Sequence, residues 1–196
     1  MAETEAFDIA PRWQIVGRGG SPRPGAVALR LTPGPGFGDG RHPTTQLCLQ
    51  ALAALAPKDR AWRLLDFGSG SAILSIAGAR LGAQACAVEI EAEALAHGAR
   101  NVAENGAEGS VRQVSTLEDA RALYDVVVAN ILRGVLVSFA EPLARRLAAG
   151  GVLVLSGLVS TDVPEVSAAY ERWLGARPEV YARDEWRALV WKKRES

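Results

Sequence analysis

The chain has 196 residues, enough for one well-buried α/β domain and short for two. Hydrophobic residues make up 48% and charged residues 22%, which excludes disordered and fibrous classes, and no apolar run approaches the roughly 18 residues of a membrane span. With 22 basic and 22 acidic side chains the formal charge is zero, so the chain lacks the positive field by which proteins hold nucleic-acid phosphates.

The acidic start MAETEAFDIA has no basic stretch followed by an apolar one, so it does not read as a secretory signal and a cytoplasmic location is expected. Residues 1–26 carry Pro11, Pro22, Pro24 and the Gly17 to Gly20 cluster, which predicts an extended lead-in with at most one short strand, around Trp13 to Val16. The remaining domain, 27–196, opens with the alternating AVALRL. TPGPGFGDG (Thr32 to Gly40) then reads as a loop, and His42 to Ala56 as a helix with Leu47, Leu49, Leu52 and Leu55 on its apolar positions.

From Trp62 onward strands alternate with helices. WRLLDF is a strand, Ser71 to Leu81 a helix, ACAVEI a strand, and Glu91 to Asn105 an Ala-rich helix closed by Gly106. Strands follow at Val111 to Val114 and at YDVVVAN (Tyr124 to Asn130), then a helix from Val135 to Leu147 and the strand GGVLVLSG. A helix from Val163 to Leu174 and strands near Glu179 to Arg183 and Trp186 to Trp191 close the pattern. Repeated β-α units predict a doubly wound, Rossmann-like parallel sheet with helices on both faces. Cys48 and Cys86 sit in apolar surroundings and read as buried free thiols; no CxxC or Cys/His pattern predicts a metal site.

The chemistry concentrates at the ends of these strands. The first βα turn, DFGSGSAIL, places Asp66, Gly68 and Gly70 at the carboxyl edge of the sheet, where open α/β folds bind ligands. Glu89, 23 positions after Asp66, lies near the roughly 20-residue spacing at which a carboxylate meets ribose hydroxyls. A dinucleotide fingerprint requires a third glycine where this chain has Ile73, which argues against a nicotinamide-dependent oxidoreductase. Asp66 would also repel a pyrophosphate, whereas it suits an adenosine ligand bearing an ammonium group, as S-adenosylmethionine does.

Asn130 ends an apolar strand at the same edge. Its amide needs a partner, either a turn or a ligand; in the latter case its carbonyl accepts from an incoming amine. GFGDGRHPTT (Gly36 to Thr45) reads as a lid, with Thr44 and Thr45 as helix caps or site residues. His42 is expected to be structural, and His97 to take no part.

LTPGPGFGDGRHPTTQLCLQAL, LLDFGSGSAILSIAGARLGA, DVVVANILRGVL and GGVLVLSGL together resemble the methyltransferase domain of the ribosomal protein L11 methyltransferase family, over roughly residues 9–193. The resemblance implies a class I methyltransferase with a seven-stranded, mostly parallel sheet whose final strand is antiparallel. It implies cofactor contacts at Thr45, Gly68, Glu89 and Asn130, with Phe37, Asp66 and Gly70 lining the pocket. S-adenosylmethionine would be converted to S-adenosylhomocysteine, with methyl passing to a protein amine of lysine or N-terminal type, Asn130 being the residue assigned to catalysis. Asp39, Ala72 and Glu89 depart from the family's usual threonine, glycine and aspartate, and the family's N-terminal substrate-recruiting domain is expected to be absent. That leaves a small-molecule N- or O-methyltransferase and a catalytically silent cofactor-binding module as alternatives. Neither a nucleic-acid nor a membrane partner is expected, and the oligomeric state is left open.

Overall fold

A computed structural model describes residues 7–10, 12–17 and 20–194. The acidic residues 1–6, Pro11 and part of the Gly17 to Gly20 cluster lie outside them.

The lead-in forms two strands, β1 (Phe7–Ala10) and β2 (Trp13–Ile15), rather than at most one. They pair antiparallel around a bulge, and β3 (Val27–Leu29) runs parallel to β2, giving a small three-stranded sheet. β1 is four residues long, too short for its alternation to stand out in the sequence. Trp13, Ile15 and Leu29 are buried in one core with α1 (Pro43–Leu55), and the Trp13 indole donates to the Leu49 carbonyl at 3.0 Å.

The main sheet contains β4 (Trp62–Phe67), β5 (Ala83–Val88), β6 (Val111–Val114), β7 (Tyr124–Asn130), β8 (Leu147–Val159), β9 (Glu179–Arg183) and β10 (Trp186–Lys192). Its order is β6-β5-β4-β7-β8-β10-β9; β10, the final strand, runs antiparallel to both neighbours, as the resemblance implies. The connecting helices are α2 (Ile73–Arg80), α3 (Ala92–Glu104), α4 (Arg133–Ser138), α5 (Ala140–Arg146) and α6 (Val163–Leu174). The predicted helix Val135 to Leu147 divides at Phe139 because Pro142 has no N–H for the Ser138 carbonyl and its ring crowds that oxygen.

Strand alternation sends Leu64, Val126 and Val128 into a core beneath α1 and α2, and Leu65, Val127 and Ala129 into one beneath α5 and α6. Burial on both faces explains why the central strands are continuously apolar. The chain moves outward from β4 through β5 to β6, then returns to β7 on the other side of β4. At that reversal the carboxyl ends of β4 and β7 lie side by side, Phe67 opposite Ala129, so Gly68 and Asn130 share one crevice.

Candidate active site

The glycine turn is held by backbone. Gly68 and Ser69 N–H both donate to the Val88 carbonyl at 2.9 and 3.0 Å, tying the end of β4 to the end of β5. Gly68 has φ +75°, and a Cβ there would fall 2.4 Å from Ile131 Cγ2. The space left by its missing side chain is thus filled by Ile131, not left open to a ligand. Gly70, at φ +51°, approaches the Phe37 carbonyl so closely that a Cβ would lie 2.5 Å from it. A third left-handed residue, Ala72 at φ +63°, caps α2, which therefore begins at Ile73 rather than Ser71.

Asp66 is buried beneath this turn. Its Oδ2 accepts from the Ser75 N–H at 3.0 Å and the Ser75 hydroxyl at 2.7 Å, anchoring the first turn of α2. Burial raises its pKa to about 6; the two Ser75 bonds oppose that rise and the Glu89 charge adds to it. Among the described residues no cation opposes that rise, so the carboxylate has Ser75 alone to steady it. Glu89 Oε2 accepts from the Gly70 N–H at 2.9 Å and Oε1 from the Glu91 N–H at 3.0 Å. Each oxygen keeps a lone pair for a ribose hydroxyl, so the longer side chain both braces the glycine turn and retains acceptor capacity.

The loop from Gly36 to Thr45 folds over this turn. The Ser71 N–H donates to the Phe37 carbonyl at 2.9 Å and the Ser71 hydroxyl to the Gly38 carbonyl at 2.6 Å, while the Phe37 ring remains 55% exposed. His42, not a threonine, caps α1: its Nδ1 accepts from the Thr44 N–H at 3.4 Å and lies 2.7 Å from Thr44 Oγ1. Its ring stands edge-on to Phe37 and Trp186. Thr45, freed from capping, is fully buried, and its Oγ1 accepts from Asn130 Nδ2 at 3.3 Å.

That bond leaves Asn130 Oδ1 buried without a partner among the described residues; the Ser69 hydroxyl, in the glycine turn, is in the same condition. Two orphaned polar atoms flanking one crevice are what a polar ligand would satisfy, because leaving such groups unpaired costs about 1–3 kcal/mol each. A cavity of about 450 Å³ opens at the opposite edge between Arg63, Gln84, Arg112 and Tyr124 and touches none of these groups. The candidate chemistry therefore lies at the strand ends, away from that hollow.

Thr45, Asp66, Gly68, Gly70, Glu89 and Asn130 converge at this edge with the Phe37 backbone above them. Sequence reading missed Ser69, Ser71, Ser75 and Ile131, whose roles arise from turn geometry with no spacing signal. It also set aside His97, which is buried, accepts from the Gly36 N–H at 3.1 Å through Nδ1 and lies 2.7 Å from the Thr32 carbonyl through Nε2. An Ala-rich helix hides that role because the partner segment is more than sixty residues away.

Comparison with known proteins identifies the family to which this fold belongs. Residues 1–194 match the model of the ribosomal protein L11 methyltransferase family, PrmA. The chain is 41% identical over 186 residues to the ribosomal protein L11 methyltransferase of Geobacter sulfurreducens, covering 94% of this chain and 59% of that protein. It is 42% identical over 172 residues to the one from Cupriavidus taiwanensis, covering 87% and 54%. The chain thus spans little more than half the length of these curated relatives. A crystal structure of ribosomal protein L11 methylase from Lactobacillus delbrueckii subsp. bulgaricus superposes with a TM-score of 0.83 at 25% identity, over 98% of this chain and all of the other. With a class I methyltransferase sheet, a glycine turn and an asparagine side by side at its reversal point, and a family model matched almost end to end, this chain belongs to the ribosomal protein L11 methyltransferase family.

Proposed function

We propose that this chain is an S-adenosylmethionine-dependent methyltransferase that methylates an amino group of a protein, of lysine or N-terminal type, in the cytoplasm. The observation that carries the reading is the buried, unpartnered Asn130 Oδ1 beside the glycine turn, an acceptor facing the place where a donor N–H is needed. The relatives' names, which specify a ribosomal protein as acceptor, support a protein substrate, and L11-like chains are the first acceptors to try.

The residues present suit the cofactor. Glu89 offers acceptor oxygens to ribose hydroxyls, Asp66 a negative charge lacking a counter-ion, and Ser69 an uncommitted hydroxyl. When bound, S-adenosylmethionine supplies a methyl group on a positively charged sulfur, an electrophile that needs no further activation by the protein. The chain's task is to present a neutral amine in line and without water. A lysine-type amine has a reference pKa of about 10.4 and must shed a proton to water before it reaches Asn130. Asn130 Oδ1 then accepts one amine N–H, which turns the nitrogen lone pair away from the asparagine, while Thr45 Oγ1 fixes the amide plane through Nδ2. No side chain is assigned as a general base.

Incubation with methyl-labelled cofactor and a lysate, followed by separation of protein from small molecules, tests the reading. Label in a protein band supports it, label only in the small-molecule fraction overturns the acceptor class, and cofactor binding without any transfer overturns the activity.

A further inference from the structure

Three buried polar side chains stand one turn apart on α3 and at its end: His97, Asn101 and Asn105. All three face the chain segment that leads from β3 into the lid. Asn105 Oδ1 accepts from the Arg30 N–H at 3.0 Å and its Nδ2 donates to the Arg30 carbonyl at 2.7 Å. Asn101 Oδ1 accepts from the Thr32 N–H and hydroxyl, both at 2.8 Å. His97 Nε2 meets the Thr32 carbonyl and its Nδ1 accepts from the Gly36 N–H. The spacing works because four residues of helix rise about 6 Å and two residues of extended chain about 6.6 Å, so Asn105 and Asn101 keep step with Arg30 and Thr32, and the longer His97 ring bridges from Thr32 to Gly36. The helix does for residues 30 and 32 what a neighbouring strand would do.

The ladder also reaches the glycine turn, since Asn101 Nδ2 donates to the Ser71 carbonyl at 2.9 Å. Ser71 in turn holds Phe37 and Gly38. Gly34 is small because His97 occupies the space beside it, a Cβ there falling 2.4 Å from its Cδ2; at Gly36 a Cβ would meet the glycine turn as well, the Gly70 carbonyl carbon at 2.7 Å and both His97 Nδ1 and Ser71 N at 2.8 Å. The glycines of PGPG thus admit the imidazole. Nδ1 accepts, so the ring is the neutral tautomer with its proton on Nε2, pointing to Thr32.

We propose that His97, Asn101 and Asn105 are positioning residues of the cofactor site, a side-chain ladder that fixes residues 30–38 against the glycine turn. Within it, the His97 to Gly36 bond sets the height of the lid. Thr32 is held twice over, by Asn101 and by His97, whereas among the described residues the Gly36 N–H has His97 alone. The two nitrogens of His97 therefore differ in consequence. The inference rests on the cofactor reading above only for its effect on binding.

A pair of conservative variants separates them. An asparagine amide places its oxygen where Nδ1 stands and keeps the acceptor for Gly36; a glutamine amide reaches the Nε2 position and keeps only the bond to Thr32. His97→Asn should hold S-adenosylhomocysteine within about threefold of the parent affinity, and His97→Gln should weaken it by about tenfold, as expected for loss of one part-buried hydrogen bond. In the ligand-free protein, hydrogen exchange at the Gly36 amide should quicken in His97→Gln and not in His97→Asn. Equal effects of the two variants, or a larger effect of His97→Asn, would overturn the proposal. So would rapid exchange of the Gly36 amide in the unsubstituted ligand-free chain, a measurement that needs no variant to fold. Failure of the unsubstituted chain to bind S-adenosylhomocysteine would sink the cofactor reading instead, and the exchange data would still judge the ladder.

Discussion

The two sides of the crevice at the sheet's reversal point are built differently. On the β5 side, the N–H groups of Gly68, Ser69, Gly70, Ser71 and Ala72 are each engaged, Glu89 is held by two amides, and α3 locks the lid from behind. On the β7 side, Asn130 makes one long bond to Thr45 and leaves an oxygen buried and unpaired. A rigid half suits a ligand that must sit in one place, since a preformed site loses less entropy on binding. The other half is left short of one donor among the described residues, which under the proposed reading a substrate N–H would supply. Binding and chemistry are thereby separable by substitution.

The largest expected effect comes from breaking the rigid half at its tightest point. Gly68→Val would place a branched side chain at φ +75° and against Ile131, combining backbone strain with overpacking at a combined cost of about 4 kcal/mol. Most of that cost should appear as lost stability in a denaturant titration, and the displaced turn should also weaken S-adenosylhomocysteine binding, measured calorimetrically on protein whose far-ultraviolet circular dichroism shows it folded. Undiminished stability and tight binding in Gly68→Val would mean that the close approach of Ile131 to this turn does not hold the rigid half together.

Substitution in the sparse half should act on rate instead. Asn130→Ala removes the orphaned oxygen together with the Nδ2 donor to the buried Thr45 hydroxyl, a loss on the β7 side that leaves the glycine turn and Glu89 in place, so affinity for S-adenosylhomocysteine should stay within tenfold, about 1.4 kcal/mol. Turnover should drop about 100-fold because the amine loses its orientation. Equal losses in affinity and turnover would erase the distinction between the halves, and unchanged turnover would remove Asn130 from the mechanism.

The difference between the halves also governs what the sequence revealed. Strand ends could be located because apolar runs stop at polar residues: LLDF at Asp66, ACAV at Glu89, VVVA at Asn130. Those residues are the ones the fold brings together. The seven-stranded, mostly parallel sheet with an antiparallel final strand followed from β-α alternation together with the family resemblance, and its strand order did not. What stayed hidden depends on approach between distant segments. TPGPGFGDG displays its glycines, but the reason for Gly34 is the His97 ring from α3, the reason for Gly36 is that ring together with the backbone of Gly70 and Ser71, and the reason for Gly68 is Ile131 after β7. Ala72 occupies a left-handed position normally left to glycine, which neither its size nor its neighbours announce. The second lead-in strand escaped because β1 has four residues, and the divided helix because Pro142 was read as lying within one helical pattern.

The smallest of these effects concerns charge and sharpens the comparison through pH. Asp66 is raised from 3.8 to about 6 by burial, with only Ser75 hydrogen bonds opposing the rise. In the ligand-free fold it therefore takes up a proton between about pH 4 and 6 that the unfolded chain does not. This group's contribution to stability is accordingly greatest at low pH and is lost as pH rises through about 6. A ligand carrying an ammonium group has the opposite preference, because it favours the ionised carboxylate. Affinity for S-adenosylhomocysteine should thus decline as pH falls through 6, by about tenfold between pH 7 and pH 5, since at pH 5 about nine-tenths of Asp66 must first be deprotonated. In Asp66→Asn the amide oxygen still accepts from Ser75, so the turn is kept while the titration is gone. Its affinity should be lower at pH 7 and flat to pH 5. Calorimetric titrations of both proteins across that range decide the matter: parallel slopes would show that Asp66 only anchors α2, and a slope confined to the parent would show that the rigid half also supplies the charge that selects a cationic ligand.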